Sequence, residues 1–262
     1  MTRTRKAFIA LLCLLGAVMI LGVPLAMAQE LTLDMGGGDG TVTGRVVQIL
    51  AMLTILSLAP SILIMMTSFT RIIIVLSFLR TALGVQQTPP NTVLMSLALF
   101  LTFFIMGPTI TQAYNEGIKP LMDQTIEETV AFDRATQPFK AFMLKNTRQE
   151  DYTLFVDMSG VEAPKTAMES PLHIVIPAFM ISELRRAFEI GFMLFLPFLI
   201  IDMVTASILM SMGMMMLPPI MISLPFKIIF FVMVDGWHLV VGSLVKSFES
   251  APGSVQIPGI TQ

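Results

Sequence analysis

The chain has 262 residues, 55% of them hydrophobic and only 13% charged, with a formal net charge of −2 and a mean hydropathy of +0.80. That composition excludes an ordinary water-soluble globule and points to a membrane protein. With no long Lys/Arg run, nucleic acid is not an expected partner. With no Gly-rich phosphate loop ending in Lys-Ser/Thr, ATP is not an expected ligand.

Arg3, Arg5 and Lys6 form a basic start, Ala7 to Val23 an apolar stretch closed by Pro24, and Ala26-Met27-Ala28 the small residues that a signal peptidase reads. The pattern predicts a cleaved signal peptide over residues 1–28 and a mature start at Gln29. The alternative, an uncleaved anchor, fits the helix-breaking Pro24 less well. Cys13 is the single cysteine and lies inside this segment, so a mature chain would have no disulfide and no thiolate metal site. The start would be periplasmic, at a bacterial inner membrane.

Residues 29–45, with the run DMGGGDG, read as a flexible leader. Val46 to Met66 is apolar and long enough to cross a hydrocarbon core of about 30 Å. Arg71 and Arg80 follow, then Pro89-Pro90, then a second apolar segment from Thr92 to Ala113. A first helical hairpin over 46–113 is expected, with both arginines on the cytoplasmic side.

Residues 114–171 differ in kind, carrying ten acidic and six basic residues. Phe139, Phe142 and Met143, then Tyr152, Phe155 and Val156, recur at helical spacing. Pro138 suits a first turn and Gly160 a stop, so a small, mainly helical periplasmic insert is expected. A merely solvated connector is the alternative.

A second hairpin is expected over 172–249, with a tail at 250–262. Its apolar character is interrupted by Glu183, Arg185, Arg186 and Glu189, by Asp202, and by Lys227, Asp235 and His238. Each charge at the centre of a lipid-exposed helix costs about 2.5–3.5 kcal/mol. The charge-free run Ile190 to Ile201 has 12 residues, about 18 Å of helix and too short to span. These helices therefore line a water-filled path, pair inside a protein assembly, or sit outside the membrane plane. Spacing allows Glu183–Arg186 and Arg185–Glu189 to pair locally, while Lys227 and Asp235 are placed to serve neighbouring chains. An ion-coupled transporter or proton channel using these carboxylates is the rival reading. An enzyme is not expected: His173 and His238 lack metal-site spacing, and no G-x-S-x-G or thiol nucleophile is present.

Five stretches carry a resemblance to a known family: residues 68–91 (SFTRIIIVLSFLRTALGVQQTPPN), 98–108 (ALFLTFFIMGP), 182–204 (SELRRAFEIGFMLFLPFLIIDMV), 212–219 (MGMMMLPP) and 224–244 (LPFKIIFFVMVDGWHLVVGSL). Together they resemble the FliP family of flagellar type III secretion export-gate proteins, over essentially all of Val46 to Phe248. The resemblance implies an all-α subunit without cofactor or metal. It implies assembly of five copies with FliQ and FliR, work alongside FlhB and FlhA, and help from FliO. It also implies a complex at the flagellar basal body with much of its mass toward the periplasm. There it would pass unfolded flagellar substrates across the inner membrane. The charged helices would then meet protein rather than lipid, leaving Glu183, Arg185, Arg186, Glu189, Asp202, Lys227 and Asp235 as structural or inter-subunit charges.

In this family a methionine-rich loop forms a gasket that closes the pore, and the pattern falls here on Met214, Met215 and Met216, with Met212 adjacent. Methionine has three rotatable bonds and a polarisable thioether, so it fills irregular space without a fixed shape. Gly213 and Pro218-Pro219 would hold the segment as a loop between two helices. Converging copies would form a deformable apolar plug that excludes hydrated ions by dewetting.

Overall fold

The computed structural model describes residues 47, 49–54, 57, 61, 64–85, 87–160, 166–214 and 217–249. The expected signal peptide, leader and tail lie outside the described residues, as do part of the first apolar segment and Met215 and Met216. The chain divides into two units, 1–54 and 55–262. In the first, residues 47 and 49–54 are helical with exposed side chains. Everything below concerns the second.

The described residues are all-α, with no strand. The helices are α1 (Phe69–Ala82), α2 (Asn91–Ala113), α3 (Glu128–Asn146), α4 (Gln149–Ser159), α5 (Leu172–Ser211), α6 (Pro219–Met233) and α7 (Gly236–Glu249). Helix α2 does not stop at Ala113. It continues through one π-helical turn, Tyr114–Ile118, into Lys119–Met122, and the helical backbone ends only at Asp123. The apolar path is therefore 32 residues, Asn91–Met122. Helix α5 likewise runs past Asp202, the end of the charge-free stretch, to 40 residues.

Those two helices are long and apolar enough to cross a membrane, and α6 with α7 would make a third if their 64° break belongs to one span. The segment after 172 thus holds three helices rather than a hairpin. Proline sits inside several of them, at Pro108, Pro177, Pro197 and Pro225. Each removes one backbone donor, a loss tolerated in such helices when neighbours re-satisfy the freed carbonyls.

Helix α5 is the spine on which two cores are built. Its first turns contribute Ile174, Val175 and Phe179 to a cluster with Met66, Met143 and Leu144, closed by Tyr152 and Val156. Further along, Ala187 and Phe198 join Ile72, Val75, Leu76 and Leu79 of α1, Leu94 and Ala98 of α2, and Leu244 and Phe248 of α7. Helices α3 and α4 of the segment 114–171 therefore pack onto α5 rather than trailing as a connector. One detail differs from expectation. Pro138 is not in a first turn but mid-helix, since α3 starts ten residues earlier at Glu128. Gly160 ends α4 in the left-handed region at φ 63°, where glycine meets no Cβ penalty.

The π turn is where α2 meets α3, and it leaves no room for a side chain. A Cβ on Gly117 would lie 2.6 Å from the Ala135 Cβ and 2.7 Å from the Ala131 carbonyl oxygen and the Ala135 nitrogen. Backbone cannot yield as a flexible side chain can, so Gly117→Ala must separate α3 from the π turn, at about 1–3 kcal/mol. In the same helix, Gly107 has nothing within 4 Å of its would-be Cβ. Thermal unfolding of the detergent-purified protein is expected to show a lower Tm for Gly117→Ala and an unchanged or higher Tm for Gly107→Ala. Equal Tm values for the two variants would contradict this packing.

Candidate functional site

Two groups of residues carry the chemistry: the buried charges of α5 and its neighbours, and the loop between α5 and α6. The charges resolve into discrete pairs within one chain. Arg71 and Glu183 are both fully buried. The Arg71 Nε donates to Glu183 Oε2 at 2.8 Å and Nη2 donates to Glu183 Oε1. The remaining Nη1 donates to the Ser247 hydroxyl at 2.9 Å and to the Ser247 carbonyl at 3.1 Å. The guanidinium lies 3.6 Å from the centroid of the Phe248 ring. A bidentate fork, two further acceptors and an aromatic face satisfy a buried cation as fully as protein groups can. One side chain thereby ties α1 to α5 and to α7.

Arg71 lies in the first turn of α1 and faces the core, and this corrects one sequence expectation. Glu183 pairs with Arg71 and not with Arg186 at i,i+3. Arg71 presents its planar fork directly across the α1–α5 seam, whereas Arg186 lies half-buried on the next turn. Arg185 and Glu189 do pair at i,i+4, Nε to Oε1 at 3.0 Å, with both side chains more than half exposed. Arg80 marks the α1–α2 turn instead, donating to Asn91 Oδ1 at 2.5 Å.

The second buried pair joins α5 to α6. The Lys227 ammonium donates to Asp202 Oδ2 at 2.6 Å and to the Ala82 carbonyl at 3.1 Å. The Ser223 hydroxyl donates to Asp202 Oδ1 at 2.6 Å. Ala82 is the last residue of α1, so Lys227 also sits at that helix's negative end, where a cation is favoured. Lys227 therefore serves its own chain, and Asp235, its supposed counterpart for a neighbour, is exposed at the α6–α7 break. Asp235 has φ 49°, a left-handed conformation that Asp tolerates better than most residues.

Sequence reasoning named the carboxylates but missed Arg71 and Ser223 as their partners, and Ser247 as a partner of Arg71. Ser223 and Lys227 are four apart, the helical spacing that places both on one face of α6, and that signal was available. Nothing local marked Arg71 or Ser247, which are distant in sequence from Glu183. Ser182 was missed too. Its hydroxyl donates to Asp151 Oδ2 at 2.7 Å and accepts from the Arg148 backbone N–H at 3.0 Å, fastening α4 to α5. Among the described residues, no group of three His, Cys, Asp or Glu side chains is placed to hold a metal ion.

The loop begins with a backbone device. Gly213 has φ 74°, its N–H donates to the Met210 carbonyl at 3.1 Å, and the Met214 N–H reaches back to Leu209 at 3.0 Å. These are the two hydrogen bonds of a Schellman motif, which satisfies the last carbonyls of α5 and turns the chain away from the helix axis. Pro218 then serves as the N-cap of α6 and Pro219 as its first residue, where a missing N–H costs nothing and φ is already helical. Met212 and Met214 are 66% and 41% exposed, so these two methionines are displayed rather than packed.

Removing one partner of the Arg71–Glu183 pair strands the other charge in the core, a loss of about 3–5 kcal/mol. Glu183→Gln is expected to lower the denaturation midpoint sharply, and Arg71→Met combined with Glu183→Leu to recover part of the loss. Arg185→Glu, acting on an exposed pair, is expected to shift stability by at most about 1 kcal/mol. Denaturant titration in detergent reads all three. A mild Glu183→Gln phenotype would contradict the pairing, and a collapse caused by Arg185→Glu would contradict its exposure.

With this geometry in hand, comparison with known proteins is direct. The description "FliP family" matches residues 52–244. The chain is 58% identical over 246 residues to the flagellar biosynthetic protein FliP of Caulobacter vibrioides, covering 93% of this chain and 92% of that one. It is 59% identical over 202 residues to the Bacillus subtilis protein of the same name, covering 77% and 91%. It is 51% identical over 212 residues to the Rhizobium meliloti protein of that name, covering 80% and 86%. A match of this extent spans α1 through most of α7, including both buried pairs and the loop between α5 and α6, and on it the chain belongs to the FliP family.

Proposed function

We propose that this chain is a pore-forming subunit of the flagellar type III protein export gate, passing unfolded flagellar substrates across the bacterial inner membrane. Five copies surround a common axis together with FliQ and FliR, and the complex works with FlhB, FlhA and FliO. Residues 1–28 are removed as a signal peptide, and the insert that begins after α2 faces the periplasm. The relatives' shared name, flagellar biosynthetic protein, supports the pathway.

The observation that carries the pore assignment is the loop. A 40-residue apolar helix ends in a hydrogen-bonded reversal, presents exposed methionines, and restarts at two prolines. An apolar loop held clear of its own core is suited to meet copies of itself, and methionine suits a seal that must close on nothing and open around a polypeptide. The buried Glu183 and the partly buried Asp202 are both engaged by cations of the same chain. That occupancy favours structural pairing over an ion path and weighs against a proton-coupled transporter.

The plug makes a specific demand. Replacing Met214, Met215 and Met216 by Ala removes flexible bulk from every copy at once, so the resting pore is expected to wet and conduct small ions. Met214 is 41% exposed and belongs to neither core cluster, so complex yield is expected to hold. Conductance of the purified complex in planar bilayers, with yield followed in parallel, decides the matter. A tight membrane with a collapsed complex would make the methionines ordinary core and end the gasket reading.

A further inference from the structure

Four charged side chains are buried among the described residues: Arg71, Glu183, Lys227 and Lys140. The first three are held in the Arg71–Glu183 and Lys227–Asp202 pairs, with every partner drawn from the same chain. Lys140 is the exception. Among the described residues no carboxylate comes within ion-pair distance of it, and no group accepts a hydrogen bond from its ammonium.

Lys140 belongs to α3, outside the helices that are long and apolar enough to cross a membrane. It leaves the same helix face as Met143 and Leu144, three and four residues on, and both of these are fully buried in the cluster built on the first turns of α5. The methylene stem is therefore packed, and the residue as a whole is 9% exposed. Its ammonium end is only partly enclosed, as a long basic side chain allows. Burial nevertheless holds the amine below the usual lysine range, and the Glu169 carboxylate offsets only part of that effect. Glu169 ends the short turn Ala167–Glu169, and the next residue, Ser170, is pinned by the Tyr152 hydroxyl at 2.5 Å. Its carboxylate thus acts on Lys140 through space without pairing to it.

A cation set into a protein without an acceptor costs free energy that the lone chain does not recover. The outer surface of the insert carries the complementary charge. Asp123, Glu127, Glu128, Asp133 and Asp157 are exposed on it, against the exposed bases Lys119 and Arg134. Copies set side by side at one level bring those carboxylates to a neighbouring insert, in a head-to-tail contact that repeats around a ring.

From these observations we propose that Lys140 is an assembly site, its ammonium completed by a carboxylate from the insert of a second copy of this chain. The inference rests on the reading that several copies share one axis, and it adds a place where they touch. The lone subunit carries the cost of the unmatched cation and assembly removes it. The site therefore favours the complex without stabilising the subunit.

Two measurements test it. Lys140→Met keeps the length and the apolar stem but removes the charge. In the detergent-purified full chain its Tm is expected to stay level or rise, because no partner is stranded. The yield of assembled complex is expected to fall several-fold, and Lys140→Arg to retain it. A lower Tm for Lys140→Met would reveal a partner inside the chain, and an unchanged complex yield would show that assembly makes no use of the charge; either result overturns the proposal. In the second measurement a zero-length carbodiimide is applied to complexes built from mixed isotopically heavy and light copies. The reagent activates a carboxylate as its acylisourea, the Lys140 amine attacks the acyl carbon, and a urea and a proton leave as the amide forms. Mass spectrometry is expected to find Lys140 joined to an acidic insert peptide of the opposite label. Links within one label only, a link to a different protein, or no link at Lys140 would each overturn it. An unmodified chain that never assembles would take down the shared-axis reading and this inference together, whereas failure of these two results alone leaves that reading standing.

Discussion

A charge buried in an apolar helical protein must have its partner built into the fold, and this chain is organised around that requirement. In a hydrocarbon surrounding, apolar packing gains little from the hydrophobic effect, because lipid is as apolar as leucine. Arg71–Glu183 and Lys227–Asp202 give α1, α5, α6 and α7 a specific arrangement that methylene packing alone would leave loosely specified. The first pair reaches three helices through one guanidinium, taking in Ser247 and the Phe248 ring. The second closes the end of α1 by placing an ammonium on its last carbonyl. Breaking the first strands a fully buried charge; breaking the second leaves the buried Lys227 ammonium with the Ala82 carbonyl as its remaining partner.

The insert and the spine depend on the same frame by a different chemistry. Helices α3 and α4 are amphipathic, pack Met143, Leu144, Tyr152 and Val156 onto the first turns of α5, and are fastened there by Ser182. Close approach does what charge does elsewhere: Gly117 lets the π turn lie against the α3 backbone, and Gly191 admits the Phe78 ring. Helix α5 is thus straddled, with an apolar core on its first turns, the sealed ion pair near Glu183, and the partly exposed pair near Asp202. At its end the chain turns out of the helix through Gly213, with Met212 and Met214 exposed.

Helix content and the apolar segments were legible from periodicity and composition, and so were the charges that lipid would not tolerate. Partners were not. Arg71 looked like a positive-inside marker because sequence shows a charge next to an apolar run, not which face of a short helix it occupies. Glu183 looked paired to Arg186 because i,i+3 spacing is visible and a contact 112 positions away is not. The long continuation of α2 was hidden by the polar residues after Ala113, which in water would end a helix but here pass through a π turn. Proline misled once: Pro138 suggested a start and lies mid-helix, whereas Pro218-Pro219 stand where the loop gives way to α6. Gly213 was noticed for its neighbours, but only the backbone shows it closing a Schellman motif.

The claim that the charges are partnered within each chain meets its most direct test in an experimental density map of the assembled complex at rest. The account predicts that every copy places its Arg71 guanidinium on its own Glu183 and its Lys227 ammonium on its own Asp202, at about 2.7–2.9 Å. A map in which either carboxylate reaches a neighbouring copy's cation, or faces a continuous file of water, would contradict it.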